Sequence, residues 1–133
     1  LPLASNDLEQ ALVLAFLKRF DELEPLLASL PEDQLSLQDN SHLAFLYYHY
    51  GKHRQYLPLV MRARQHYIAT DDVKGVIDSL FLAASITSKT NIEGALNLAE
   101  RALLSAQQAK DKYREKAIQK WLSKYRTVEQ NEP

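Results

Sequence analysis

Only three glycines, Gly51, Gly75 and Gly94, and five prolines interrupt 133 residues. An all-β chain needs turn chemistry about every 8–12 residues, and this supply cannot provide it. Between the breaks, Ala, Leu, Glu, Gln, Lys and Arg dominate, the residues that fit a helix at least cost. The chain is therefore read as all-α, with about seven helices. "SNDLEQALVLAFLKRF" offers Ser5 or Asn6 as an N-cap and places Leu8, Leu12, Ala15 and Phe16 on one face. "DELEPLLASLPED" stops before Pro31, and "NSHLAFLYYHY" starts at Asn40 or Ser41 and stops at Gly51. "QYLPLVMRARQHYIA" ends before Thr70, Asp71 and Asp72. "DVKGVIDSLFLAASI" turns Val73, Val76, Ile77, Leu80, Phe81 and Ala84 inward. "NIEGALNLAERALLSAQQAK" is capped by Asn91, and "KYREKAIQKWLSKYR" closes the series.

Two of these pairs resemble each other. Laying "RFDELEPLLASL" over "KHRQYLPLVMRA" puts Pro25 on Pro58, Leu23 on Tyr56, Leu27 on Val60 and Leu30 on Ala63, an offset of 33 residues. The same offset carries Ala11 onto Ala44 and Leu14 onto Tyr47. A period of 33–34 residues, one helix–turn–helix each, is the mark of stacked antiparallel helical hairpins. Both prolines are expected in the first turn of a second helix, where a missing N–H costs nothing. Gly51 is expected to make the tight turn between helices.

Composition narrows the function. Apolar residues at 46% and charged residues at 25% fit a folded globular chain rather than a disordered one. The absence of cysteine rules out disulfides, thiolate metal sites and a thiol nucleophile. No apolar run reaches the roughly 20 residues that span a bilayer, so a cytoplasmic protein is expected. The first residue is Leu1, and the chain is read as a piece of a longer protein. Charge is polarised. Residues 7–39 hold eight acids against Lys18 and Arg19, a balance of −6, whereas residues 110–126 hold seven bases against Asp111 and Glu115, a balance of +5.

The hairpins resemble the tetratricopeptide repeat. Leu43, Ala44, Tyr47, Gly51 and Ala63 match its pattern in the second repeat, although Tyr56 replaces an alanine and the terminal proline is missing. Leu82, Ala83, Asn91, Ile92, Ala95, Leu96, Ala99, Ala102 and Leu103 match in the third, with Thr90 in the glycine's place. The first repeat keeps Ala11, Leu14, Phe20 and Leu27 but lacks the turn glycine. The resemblance implies one domain over 1–133, with repeats at about 4–36, 37–75 and 76–109 and a capping helix at 110–128. It implies a superhelix whose first helices line a concave groove.

Carried over by position, that groove would be lined by Leu8, Leu12, Ala15 and Phe16, then by Gln38, Ser41, Phe45, Tyr48 and His49, then by Leu80, Ala84, Thr87 and Ser88. The family's carboxylate-clamping Lys, Asn and Arg are absent from these positions, which leaves an aromatic and aliphatic groove suited to an apolar peptide or amphipathic helix. The expected function is thus a non-catalytic interaction module that binds a peptide or helix of a partner protein, within a bacterial regulatory or signalling protein. The basic last helix, with Lys112, Lys116, Lys120, Trp121 and Lys124, offers a second surface. It serves as a solenoid cap burying Ile118 and Leu122, as a contact to the acidic third of a second copy in a dimerisation or sensor domain, or, least favoured, as a weak nucleic-acid contact. His49 and His53 have metal-ligand spacing, but Gly51 is expected to break the helix between them, and no metal or cofactor is expected. There is no GxSxG, HExxH, phosphate-cradling glycine loop or dinucleotide fingerprint, so no enzyme is expected. Asp71–Asp72 and Glu32–Asp33 are read as helix-end acids.

Overall fold

The computed structural model describes the backbone of residues 3–30 and 37–130 and the side chains of residues 7–30 and 40–125. Within them the chain is all-helical: α1 (Leu3–Phe16), α2 (Phe20–Ala28), α3 (Leu37–Arg54), α4 (Leu57–Ala69), α5 (Val73–Thr87), α6 (Ile92–Gln108) and α7 (Lys112–Gln130). It forms two compact units, Leu1–Asp72 and Val73–Pro133.

Helix starts and stops follow local chemistry, though not always the expected one. Four helices end on a residue other than glycine in the left-handed region: Lys18, Gln55, Asp71 and Lys110, with φ of 58°, 51°, 56° and 57°. That conformation costs about 1–2 kcal/mol without glycine. Each time, two backbone bonds offset it. The next N–H reaches five residues back, as Arg19 to Leu14, Tyr56 to Gly51, Asp72 to Tyr67 and Asp111 to Ala106, all at 2.9 Å. The left-handed residue itself donates three residues back, as Gln55 does to Lys52 at 3.3 Å. Without these bonds the last carbonyls of each helix would lack intrahelical partners.

Gly51 therefore does not make the turn. It lies inside α3 without positive φ, and Gln55 turns the chain instead. The first two turn residues, Lys18 and Gln55, stand 37 positions apart. Pro58 opens α4 as expected, but Pro25 sits inside α2, five residues past its start, and costs that helix one backbone bond. Asn40 and Ser41 are likewise interior to α3, and Ser5 and Asn6 to α1. Phe20 begins α2 rather than ending α1. Asn91 caps α6 as read, accepting from the Gly94 N–H at 3.0 Å. The pair Glu32–Asp33 lies outside the described residues.

In the first unit α1 packs on α2 and α3, and α3 on α4. Leu8, Ala11, Leu14, Leu23, Leu43, Ala44, Leu46, Val60 and Ala63 are buried there. In the second unit α6 packs on α5 and α7. Its core joins Ile77, Leu80 and Ala84 of α5 to Ala99, Ala102 and Ala106 of α6 and to Ile118 and Leu122 of α7. Ala44, Ala63, Ala83, Ala95 and Ala102 are all fully buried, and their small side chains let neighbouring helices approach closely. Val73, expected inward, is half exposed.

One clamp in the second unit was not foreseen. Arg114 of α7 donates from Nε and Nη2 to both carboxylate oxygens of Asp78 on α5, at 2.8 and 2.9 Å, and from Nη1 to Asp111 at 3.0 Å. Asp111 also accepts the Arg114 backbone N–H at 3.1 Å, which caps α7. These bonds hold the Asp111 carboxyl below the usual carboxylate range, the backbone bond most.

Candidate functional site

An apolar cleft in the first unit

The first unit carries an open cleft of about 360 Å³ lined by Leu12 and Phe16 of α1, Ser41, His42 and Phe45 of α3, Tyr67 of α4, and Asp72. Four of the expected groove residues, Leu12, Phe16, Ser41 and Phe45, thus meet in one place. Their helical spacing explains it. Leu12 and Phe16 are one turn apart on α1, Ser41 and Phe45 one turn apart on α3, and the two helices pack against each other. Phe16 and Phe45 lie with ring centroids 5.4 Å apart. The row continues along α3, where Phe45 meets His49 at 4.1 Å and His49 meets the edge of Tyr48 at 5.6 Å. Burial first, and the Lys52 ammonium second, lower the His49 pKa, so its ring favours the neutral form beside the phenylalanine.

Phe16 is 72% exposed, and Val13 and Leu17 are 55% and 58% exposed. Positions 13, 16 and 17 share one face at helical spacing, so the end of α1 and the turn after it present apolar side chains to the outside next to the cleft. Other groove positions fail. Leu80 and Ala84 are 2% and 0% exposed within the second unit's core and cannot meet a partner, and Leu8 and Ala15 are buried in the first. Gln38 is in α3, but its side chain lies outside the described residues.

Surfaces on the remaining helices

His49 and His53 are both within unbroken α3, so the expected break between them is absent. His53 instead stacks on Phe20 at 4.0 Å. Among the described residues no group of three or more His, Asp or Glu is gathered as a metal site. No helix there is long and apolar enough to cross a membrane.

A second cleft, of about 570 Å³, was missed from sequence. Arg54 and Arg62 lie over the rings of Tyr50 and Tyr47 at 5.8 and 6.0 Å, and Arg54 pairs with Glu24 at 3.3 Å. The tyrosine-rich run of α3 was the available signal, but the pairing to Glu24 spans 30 residues.

On α7, Ile118 and Leu122 are buried, and Trp121 packs edge-on against Phe81 at 6.0 Å. Tyr113 and Ala117 of the same helix are exposed. Lys112, Lys116, Lys120 and Lys124 all face solvent, and Lys112 pairs with Glu115 at 3.5 Å. No family model matches the chain, and no curated protein and no solved structure matches it either.

Proposed function

We propose that the chain is a non-catalytic module of the tetratricopeptide kind that holds an apolar helix or peptide of a partner protein against α1 and α3. In this reading it serves a bacterial-type regulatory or signalling protein in the cytoplasm. The observation that supports it is the exposed strip of Val13, Phe16 and Leu17 at the edge of the cleft lined by Leu12 and Phe45. A phenylalanine left in water forfeits about 1.5–3 kcal/mol of burial, a cost that a bound apolar helix recovers.

Affinity capture from nuclease-treated native lysate tests the reading. The double variant Phe16→Ala/Phe45→Ala, shown by circular dichroism to keep its helix content, is expected to lose a protein that the wild type recovers. A Tyr56→Ala control, whose exposed ring lies off the cleft, is expected to keep it. Capture by the double variant equal to wild type would count against the cleft.

A further inference from the structure

The outer face of α7 and the charge balance of the two units carry an inference about a different surface. Residues 1–72 hold six Lys and Arg against ten Asp and Glu, a net of −4, while residues 73–133 hold ten against seven, a net of +3. On α7, Lys116, Lys120 and Lys124 recur every four residues, so they form one stripe about 12 Å long at 1.5 Å per residue. Among the described residues none of the three has an ion-pair partner, and the only acid on that helix up to residue 125, Glu115, turns inward at 16% side-chain exposure. A merely solvated helix face mixes signs, because like charges four apart repel. Here every exposed charged residue on the described part of α7 is a lysine.

The complementary surface is on the same chain. The outer face of α2 presents Asp21, Glu22 and Glu24, all exposed. Glu22 and Glu24 pair with Arg19 and Arg54, but these are surface pairs with about half of each side chain in water, and they exchange readily. We infer that the Lys116–Lys120–Lys124 face of one copy docks on the Asp21–Glu22–Glu24 face of α2 in a second copy. Near-zero net charge favours association of copies over binding of a polyanion, which the acidic unit would repel. The contact joins two unlike faces, so it repeats head to tail, closing into a ring or extending with concentration.

Sedimentation velocity on the full chain from 10 to 500 μM tests this at 50 and 500 mM NaCl. The expected result is concentration-dependent association at low salt that disappears at high salt, since the screening length shortens from about 14 Å to about 4 Å. Lys116→Glu/Lys120→Glu/Lys124→Glu should be monomeric at low salt, and so should Asp21→Lys/Glu22→Lys/Glu24→Lys. Mixing the two folded variants should restore heteroassociation, because the reversed faces then complement each other. A monomeric wild type at 500 μM and 50 mM NaCl would overturn the inference, as would association unchanged in the lysine variant. Association that vanishes with nuclease, together with absorbance of co-purified nucleic acid, would also overturn it and assign the face to a polyanion. The apolar cleft on α1 and α3 takes no part, so failure here leaves the proposed function standing.

Discussion

A β-carbon added at Gly51 would lie 2.8 Å from Val60 Cγ2, 3.2 Å from the Val60 backbone nitrogen and 3.3 Å from the Tyr56 carbonyl oxygen. The β-branched Val60 is stiff at χ1 and fully buried, and backbone cannot step aside, so α4 would have to shift. Gly51→Ala gains about 1 kcal/mol of helix propensity but meets an overpacking cost of about 1–3 kcal/mol. Net destabilisation is expected from urea melts, larger for Gly51→Val, and a stabilised Gly51→Ala would show that α3 and α4 are not in close contact there. The glycine was legible as a required residue, but its reason was not. From sequence it marks a turn, whereas the structure uses it for close approach and gives the turn to Gln55. Nothing local distinguishes the two, because Val60 reaches Gly51 only once α4 has folded back.

Elements were more legible than their ends. The α6 helix repeats alanine at 95, 99, 102 and 106, all fully buried, so its inner face is nearly smooth and its neighbours can approach closely. Ala102→Leu is expected to cost about 1–3 kcal/mol in thermal or urea unfolding, because three added carbons must fit among Ile77, Leu80 and Ile118. Leu104→Ala on the exposed side of the same helix should change stability by no more than about 0.5 kcal/mol. Equal losses in the two variants would mean that the face of α6 is misassigned. Periodicity sufficed for this helix, as did the Asn91 cap, since both signals lie within a few residues. The end of α4 before Thr70 was legible from its Thr–Asp–Asp cluster, but the left-handed turns at Lys18, Gln55 and Lys110 were not, because the backbone bonds that hold them replace any glycine signature.

At the scale of the whole molecule, acid is expected to act on the two units over separate pH ranges. His49, in the first unit, has its pKa lowered by burial and by Lys52, so the unfolded chain takes up a proton more readily than the folded one. Its contribution is complete above about pH 6.5 and is lost as pH falls through its lowered folded value. Asp111, in the second unit, is held below the usual carboxylate range by Arg114, so its contribution persists above about pH 4 and fades only below that. Trp121 is the single tryptophan and belongs to the second unit, so its fluorescence reports that unit. Urea midpoints by circular dichroism should fall between pH 7.5 and 5.5, with the Trp121 midpoint holding until below pH 4. His49→Gln should remove the first loss, and a Trp121 midpoint that moves with it would show that the units titrate as one.

Composition and local periodicity were enough to set the helical class, the inward stripe of α5 apart from Val73, and the polarised charge, because each depends on residues within a few turns of one another. Why Gly51 is required, which of Phe16 and Leu80 meets solvent, and the closing of Arg114 on Asp78 across 36 residues were decided by tertiary packing. Those outcomes depend on which surfaces fold back on each other, and a helical stripe records only that a face is apolar, not what covers it.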